Sequence, residues 1–373
     1  MKLHRRIPAA ALGIAVATVL ALPLPASALA QPAADHPATQ AALNSYQAQA
    51  GPGAGLYAGD SAGSWNLSAG TAVVNTNKPL QPIFHFRVGS QTKTFTAAVV
   101  LQLVDEGKVS LDTAIERYLP GVVNGNGYDG NAITVRQLLQ HTSGVAESRQ
   151  PTSQNPDGTF ALSALVREGL SYPPASAPGA AFHYSNTNFQ IAGMLIEKIT
   201  GMPVARAITS RIIEPLGLTQ TTFPAAGDRT VPVRFVPGYV GNRVGPFFFW
   251  VDNTSEVEPS AYSSAGALVS TQQDLTTFYQ ALIGGKVVSS ASLAEMQKTR
   301  DLGQGVGYGL GLQSFALRCG GTTWGHGGDV PGYSSLTAVT ADGRHAALMT
   351  NTMQISADAG MKKVDVINSA LCD

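Results

Sequence analysis

The stretch FRVGSQTKTFTAAVVLQLVDEGK, residues 86–108, places Ser90 three positions ahead of Lys93 at the start of an apolar run. Residues 95–104 are apolar nearly all round before DEGK ends the run, and this pattern predicts a helix buried in a core. Residues three apart on a helix share a face. We therefore expect Ser90 and Lys93 to project together from the start of a buried helix.

A lysine in this position has unusual chemistry. The backbone N–H groups at a helix start favour negative charge, and partial desolvation should lower the pKa of the Lys93 amine. A neutral amine beside a serine hydroxyl can accept its proton, which is how a serine nucleophile is activated. On this motif alone, the plainer interpretation of Ser90 as an N-cap and Lys93 as a solvated charge is favoured.

The first 30 residues predict a secretory signal peptide. MKLHRR is a basic start, AAALGIAVATVLALPL is an apolar run, and ASALA offers cleavage after a small residue. No later segment approaches the roughly 18 apolar residues of a membrane span. The sequence thus predicts a secreted protein without a membrane span.

Charge and cysteine content narrow the function classes. With 24 basic and 24 acidic residues, the chain gives no indication of a nucleic-acid partner. In an oxidising compartment, the two cysteines, Cys319 and Cys372, favour one disulfide at the C-terminus over two free thiols. The seven histidines are scattered and no Cys/His cluster has metal-ligand spacing, so we expect neither a metal nor another cofactor.

The order of elements predicts an α/β (α+β) fold. Alternating strands are expected near the start of the mature chain and again in YGLGLQSFAL, YSSLTAVTA and RHAALMTNTM, whereas the middle is helical or loop-like. This order indicates an antiparallel sheet built from both chain ends and flanked by helices, plus an all-helical insertion. We expect one hydrolase domain over 31–373, with 31–130 and 256–373 as its α/β part and 131–255 as its helical part.

Another serine also matches a hydrolase motif. GDSAG, residues 59–63, fits the G-x-S-x-G nucleophile elbow, which needs a strand before it and a helix after it. The following residues, SWNLSAGTAVV, are typical of a strand or turn. We therefore place Ser61 in a hairpin turn.

Two further stretches change the interpretation of Ser90. FHYSNTNFQIAG places Tyr184 and Asn186 directly before an apolar helix, and WGHGGDVPGYSS places His326 in a glycine-rich bend at the edge of the strand region. The ordered set S-x-x-K, Y-x-N and H-x-G resembles the serine penicillin-recognising enzymes. The chain looks closest to secreted actinobacterial D-Ala-D-Ala carboxypeptidases and their class C β-lactamase relatives, and stretches such as ITVRQLLQHTSG and GYGLGL also fit.

The resemblance implies an active site between an α/β domain and an all-helical domain. Ser90 would be the nucleophile that forms an acyl-enzyme, Lys93 its base or proton partner, and Tyr184 the proton shuttle to the leaving group. A nearby lysine cation should favour the phenolate and so lower the pKa of Tyr184. Whether Lys93 or Tyr184 is the general base stays open at this point.

The resemblance also implies substrate-binding residues. Asn186 would hydrogen-bond the substrate's amide, and His326 would hold the leaving side of the substrate or tune the tyrosine. The oxyanion hole would combine the N–H of the nucleophile with that of Asp329, which follows Gly328.

The sequence departs from the carboxypeptidase pattern where a free substrate carboxylate would bind. Gln313, Gly327 and Asp329 occupy the places of an arginine and two threonines, and Asp329 would repel a carboxylate. Arg318 is the nearest arginine in the sequence.

We expect a secreted serine hydrolase acting through acyl-Ser90. It would be a D-Ala-D-Ala carboxypeptidase-type peptidase on small molecules or peptides, including peptidoglycan stem peptides and β-lactams. The alternatives are a D-stereospecific aminopeptidase, endopeptidase, amidase or esterase, a β-lactamase, or a non-catalytic penicillin-binding module.

Overall fold

An eight-stranded antiparallel sheet organises the chain in the computed structural model, which describes residues 36–148, 154–244, 247–353 and 357–373. The predicted signal peptide, residues 1–30, lies outside the described residues. None of the described helices has both the length and the hydropathy needed to cross a bilayer.

The eight strands of this sheet come from the two ends of the chain, as expected. In chain order, the strands of the described residues are β1 (Gly53–Gly59), β2 (Ser64–Gly70), β3 (Phe86–Arg87), β4 (Asn124–Gly125), β5 (Tyr128–Asp129), β6 (Tyr239–Val244), β7 (Phe247–Asp252), β8 (Val269–Ser270), β9 (Arg300–Asp301), β10 (Val306–Tyr308), β11 (Gln313–Ala316), β12 (Thr322–Val330), β13 (Tyr333–Val339) and β14 (His345–Thr350). The large sheet has the order β2-β1-β14-β13-β12-β11-β10-β9. Leu56 of β1 pairs with Leu348 of β14, which joins the two chain ends in one ladder.

Ten α-helices occur in the described residues, and some of them cover the two faces of this sheet. They are α1 (Pro37–Ala50), α2 (Thr92–Asp105), α3 (Val135–Leu139), α4 (Leu162–Gly169), α5 (Asn186–Thr200), α6 (Val204–Ile208), α7 (Pro259–Tyr262), α8 (Gln272–Ile283), α9 (Ser290–Met296) and α10 (Ala357–Cys372). Helices α1 and α10 pack on one face against Leu336 and Leu348, and α8 belongs to the other core together with Val339 and Met349. The residues of β13 and β14 alternate between the two cores, as the two-residue period of a strand requires.

Helix α2 runs through the larger core, as the opening stretch predicts. Its residues from Thr92 to Leu101 are all buried, and Phe95 stacks on Phe278 of α8 with ring centroids 3.7 Å apart. Burial of this helix on every side fixes the position of the turn that precedes it.

A disulfide joins Cys319 to Cys372, with Cα atoms 5.7 Å apart. It links the turn after β11 to the last residue of α10. The predicted disulfide is therefore present in the structure.

Three local expectations differ from the structure. Residues 306–316 form two short strands and not one, because Gly311 adopts a positive φ of 65° in a turn between β10 and β11. The expected glycine-rich bend around His326 is the nine-residue strand β12. The predicted helical part includes the β6–β7 hairpin, whose aromatic and β-branched residues favour a strand.

The hairpin expectation for Ser61 is confirmed, since this exposed residue lies in the turn between β1 and β2. Residues 36–373 form one unit of contacts. The proposed boundaries at 131 and 255 stay a prediction.

Candidate active site

Ser90 lies in a tight turn where the start of α2 meets strand β12. The turn is a 3₁₀ helix, Gly89–Gln91. The side chain of Ser90 does not cap α2, so the interpretation of Ser90 as an N-cap is wrong. Gly89 has a φ of 53°, and a β-carbon there would lie 3.0 Å from the backbone N of Asp329. A β-carbon on Gly328 would lie 1.9 Å from the carbonyl oxygen of Val88. Glycine at both positions lets the turn and the strand touch.

The backbone N–H of Asp329 faces the same turn. Two residues earlier, the N–H of Gly327 points away from β13 and donates to Gln313 Oε1 at 2.8 Å. N–H groups two residues apart on a strand point the same way, so the N–H of Asp329 also points away from β13. Pairing between β11 and β12 stops at Gly325, which leaves this edge of β12 open beside Ser90. The geometry matches the expected second donor of an oxyanion hole.

Lys93 is completely buried, which excludes the solvated-lysine interpretation. Its Nζ lies 3.0 Å from Ser90 Oγ, 2.6 Å from Asn186 Oδ1 and 2.9 Å from the carbonyl oxygen of Ala265. The last two atoms can only accept hydrogen bonds. In the neutral amine, both N–H groups are therefore used by Asn186 and Ala265, and the lone pair is left for the Ser90 hydroxyl.

Burial lowers the pKa of Lys93 to about 7, while the Glu147 carboxylate opposes this shift. Removing an ammonium from water disfavours its charged form, and the nearby negative charge only partly compensates. Near neutral pH a large fraction of Lys93 is consequently able to accept a proton.

Glu147 orients the partner of Lys93. Its carboxylate accepts hydrogen bonds from the backbone N–H of Asn186 and from Asn186 Nδ2, the latter at 2.6 Å. Because the amide NH₂ is engaged in this way, Asn186 Oδ1 faces Lys93. Burial raises the pKa of Glu147, although Asn186 and Lys93 oppose the shift. No sequence pattern singled out Glu147, which lies in a loop.

Tyr184 lies directly before α5, and its ring covers Lys93. The centroid of the ring is 4.8 Å from Lys93 Nζ. The residue is 37% exposed, and its hydroxyl is hydrogen-bonded with Ser90. The expected lowering of the Tyr184 pKa is wrong, because burial raises this pKa despite the bond to Ser90. Of the two candidate bases, only Lys93 has its pKa moved towards neutrality.

His326 lies behind Tyr184. It is 1% exposed, and its Nε2 lies 2.9 Å from the hydroxyl of Tyr308 in β10. Tyr308 in turn contacts His141, whose ring centroid is 4.3 Å from that of Tyr184. His141 and Tyr308 belong to the stretches QHTSG and GYGLGL that fit the family, but the sequence assigned neither of them a role.

The three residues that replace the carboxylate-binding side chains do lie near one another. Gln313 Oε1 accepts the N–H of Gly327, and Asp329 Oδ1 accepts from Ser334 Oγ at 2.5 Å. Lys363 of α10, which sequence reasoning missed, is buried with its Nζ 3.4 Å from Asp329 Oδ1. The charge of Asp329 is thus partly balanced by a cation that is itself shielded from solvent.

Arg318 lies far from this place. Arg318 follows β11 near Thr322, the first residue of β12. Its backbone N–H donates to Asn368 Oδ1. Asp329 lies seven residue steps along β12 from Thr322, which is about 23 Å at about 3.3 Å per residue. Arg318 therefore does not replace the missing arginine.

Together these groups can perform acyl transfer. A hydroxyl, an amine with its lone pair directed at that hydroxyl, and two backbone N–H groups, one in the turn of Ser90 and one on β12 beside it, are the parts that a covalent mechanism needs. Within the described ranges, no three His, Cys, Asp or Glu side chains come together as a possible metal site.

Comparison with known proteins agrees with this geometry. The model of the family described as Beta-lactamase matches residues 37–367. The chain belongs to the beta-lactamase family. This assignment confirms the resemblance to serine penicillin-recognising enzymes and makes the protein a serine hydrolase of the beta-lactamase and penicillin-binding protein family.

Relatives within the family carry different activities in their names. Penicillin-binding protein 4 of Amycolatopsis lactamdurans is 30% identical, over 76% of this chain and 75% of its own length. A solved D-stereospecific amidohydrolase from Streptomyces sp. is 39% identical with a TM-score of 0.78, covering 89% of this chain and 98% of that one. The D-amino acid amidase from Ochrobactrum anthropi, solved with D-phenylalanine, is 25% identical with a TM-score of 0.77, covering 90% and 98%.

Proposed function

We propose that this protein hydrolyses amide or ester bonds of D-amino acid derivatives through an acyl-Ser90 intermediate. The observation that carries the proposal is the contact between Lys93 and Ser90, in which the lone pair of a buried amine faces the hydroxyl. Lys93 acts as the general base. The N–H groups of Ser90 and Asp329 stabilise the oxyanion. Tyr184, hydrogen-bonded with Ser90, gives its proton to the leaving group and regains one from the protonated Lys93, so the Ser90 proton ends on the leaving group.

The leaving side of the site favours substrates without a free carboxylate. The side-chain amide of Gln313 on this side already accepts the N–H of Gly327. The carboxylate of Asp329 also lies there, and its partner Lys363 is buried. Two relatives of known structure are named for action on D-amino acid amides or for D-stereospecific amide hydrolysis. Carboxypeptidase action on D-Ala-D-Ala termini stays a prediction, which the substrate panel described next also tests.

A substrate panel tests this proposal. We expect D-amino acid amides and esters to be cleaved with a kcat/KM at least about tenfold above that of matching D,D-peptides with a free C-terminal carboxylate. One missing charged hydrogen bond is worth roughly 1.5–3 kcal/mol, which is about tenfold to hundredfold in rate. The measurement is kcat/KM for each pair of acid and amide, with the L-enantiomers as a control for stereospecificity.

The double variant Gln313→Arg, Asp329→Thr is the matched comparison, because it restores a cation and removes the acid. It should raise kcat/KM for the peptide acids and leave the amides within a few-fold of wild type. A wild-type preference of tenfold or more for the free acid would support the carboxypeptidase function instead. Preference for L-amides would contradict the proposed substrate class.

The pKa of Lys93 predicts the pH dependence. Below pH 7 the amine is protonated and cannot take the Ser90 proton, so kcat/KM should fall about tenfold per pH unit. Above pH 7 the amine is neutral and the rate should level off. The measurement is kcat/KM for an uncharged chromogenic ester from pH 5 to 9. This substrate does not change its charge over that range, so the fall in rate reports the enzyme alone. A rate that stays flat between pH 5.5 and 7.5 would be inconsistent with Lys93 as the base.

Hydrolysis of the same ester separates an enzyme from a non-catalytic penicillin-binding module. A module that is acylated once would release at most one equivalent of product and then stop, whereas the proposed enzyme turns over. The proposed export of the protein is supported by the Cys319–Cys372 disulfide, since such bonds persist in oxidising compartments.

A further inference from the structure

Three buried rings form a hydrogen-bonded chain beneath Tyr184. His141 Nε2 lies 3.1 Å from the hydroxyl of Tyr308, and the same hydroxyl lies 2.9 Å from His326 Nε2. The three residues are at most 1% exposed. They come from the loop after α3, from β10 and from β12, so the chain crosses from one wall of the site to the other.

The partners at the two ends fix the direction of every proton. At one end, His326 Nδ1 contacts the carbonyl oxygen of Gly327, which can only accept, so Nδ1 carries the proton. In a neutral ring the Nε2 of His326 is then an acceptor. The Tyr308 hydroxyl must donate to it, and the Tyr308 oxygen is left to accept from His141 Nε2–H.

The other end agrees independently. His141 Nδ1 receives the backbone N–H of Ser185 at 3.2 Å and the amide of Asn188 at 3.1 Å. The Asn188 amide is oriented by Ser143, whose hydroxyl donates to Asn188 Oδ1 at 2.6 Å. His141 Nδ1 is therefore an acceptor, as the direction deduced from His326 requires. Burial also lowers the pKa of His326 to about 3 and that of His141 well below its usual value.

We propose that Tyr308 is a positioning residue. By joining His141 to His326, it holds Tyr184 in a fixed position relative to β12, the strand that carries the oxyanion-hole N–H of Asp329. At one end, the centroids of the His141 and Tyr184 rings are 4.3 Å apart. His141 Nδ1 also accepts the backbone N–H of Ser185, the residue after Tyr184. At the other end His326 lies three residues before Asp329 on β12. The proposal rests on the roles of Tyr184 and Asp329 given above.

This arrangement gives His326 a different part from direct substrate binding. Both of its ring nitrogens are engaged inside the protein, one by Tyr308 and one by the carbonyl of Gly327. A substrate could reach neither nitrogen without breaking the chain. Of the two roles that the sequence suggested for His326, the indirect one through the tyrosine is the one that this geometry favours.

The tautomers test the proposal without any substrate. Long-range ¹H–¹⁵N spectra of the histidine rings near pH 7 should show the proton on Nδ1 of His326 and on Nε2 of His141. The two buried rings would thus be neutral and of opposite tautomer. The same tautomer in both rings, or a cationic ring at this pH, would overturn the proposal whether or not the protein has the proposed activity.

Tyr308→Phe tests the positioning role. The substitution keeps the ring but leaves the lone pair of His326 and the N–H of His141 unpaired, so kcat should fall about tenfold to hundredfold with KM within about threefold. Tyr279→Phe is the matched control, because it removes another fully buried hydroxyl, bonded to Thr94, and should keep kcat within about twofold. Wild-type kcat in Tyr308→Phe, or an equal loss in Tyr279→Phe, would refute the positioning role.

A second pair of variants covers the case in which Tyr308→Phe does not fold. His141→Gln retains an amide that can donate where Nε2–H does, whereas His141→Phe retains only the ring shape. We expect the glutamine variant to keep at least about fivefold more kcat than the phenylalanine variant. Equal or higher kcat in His141→Phe would show that packing alone matters and would refute the proposal.

Discussion

Ser90→Ala is expected to lower kcat/KM for amides and esters by at least about three orders of magnitude, because no acyl-enzyme can form without the hydroxyl. The fold should be retained. The Ser90 side chain caps no helix, and the turn is held by the close approach of Gly89 to Asp329 and of Gly328 to Val88. Rates and the thermal unfolding midpoint of both proteins give the comparison.

Ser61→Ala provides the matched control for this variant. Ser61 lies in a G-x-S-x-G sequence but is exposed in the β1–β2 turn, so its removal should leave the rate within about twofold of wild type. Covalent labelling by penicillin or a fluorophosphonate should be lost in Ser90→Ala and kept in Ser61→Ala. Labelling that persists in Ser90→Ala would rule out Ser90 as the nucleophile.

Lys93→Arg is expected to be nearly as damaging as Lys93→Met, with a loss of about three orders of magnitude or more in kcat/KM. A guanidinium keeps its proton throughout the accessible pH range, so it preserves the charge but cannot serve as the base. It would also have to fit a completely buried position beside three fixed polar groups, those of Ser90, Asn186 and Ala265. Raising the pH to 9 should not rescue the arginine variant.

Lys298→Arg is the control, since Lys298 is exposed and forms an ion pair with Glu295 on the surface. Its activity should match that of wild type. The thermal unfolding midpoint of Lys93→Met should fall, because the substitution leaves the buried oxygens of Asn186 and Ala265 without their donor, so the rates are compared at a temperature at which both proteins are folded. If Lys93→Arg retained most of the wild-type rate, Lys93 could not be the base.

The fold could be predicted because its main signals are local or ordered along the chain. Strands at both ends with helices between them indicate the sheet, and the all-round apolar pattern of α2 indicates burial. The errors are also local. Gly311 divides a predicted strand. Glycines 325, 327 and 328 suggested a bend, because the close packing that requires glycine at 325 and 328 is invisible in a sequence.

The candidate site was predictable only in part for a related reason. Ser90 and Lys93 are three residues apart on one helix, so their contact follows from spacing. Tyr184 and His326 needed the ordered set of family motifs. Glu147 and Lys363 reach Asn186 and Asp329 from a loop and from the last helix, and a contact made by tertiary folding leaves no local pattern.

The pairing of β1 with β14 has a consequence for synthesis of the chain. Ala54 pairs with Thr350, so nearly 300 residues must be made between one partner and the other. At about 5–20 residues per second, the first strand waits roughly 15–60 seconds on the ribosome before its partner exists. During that time β1 has an unpaired edge that invites wrong pairing. A nascent chain that stops before β14 would therefore be both inactive and prone to aggregate.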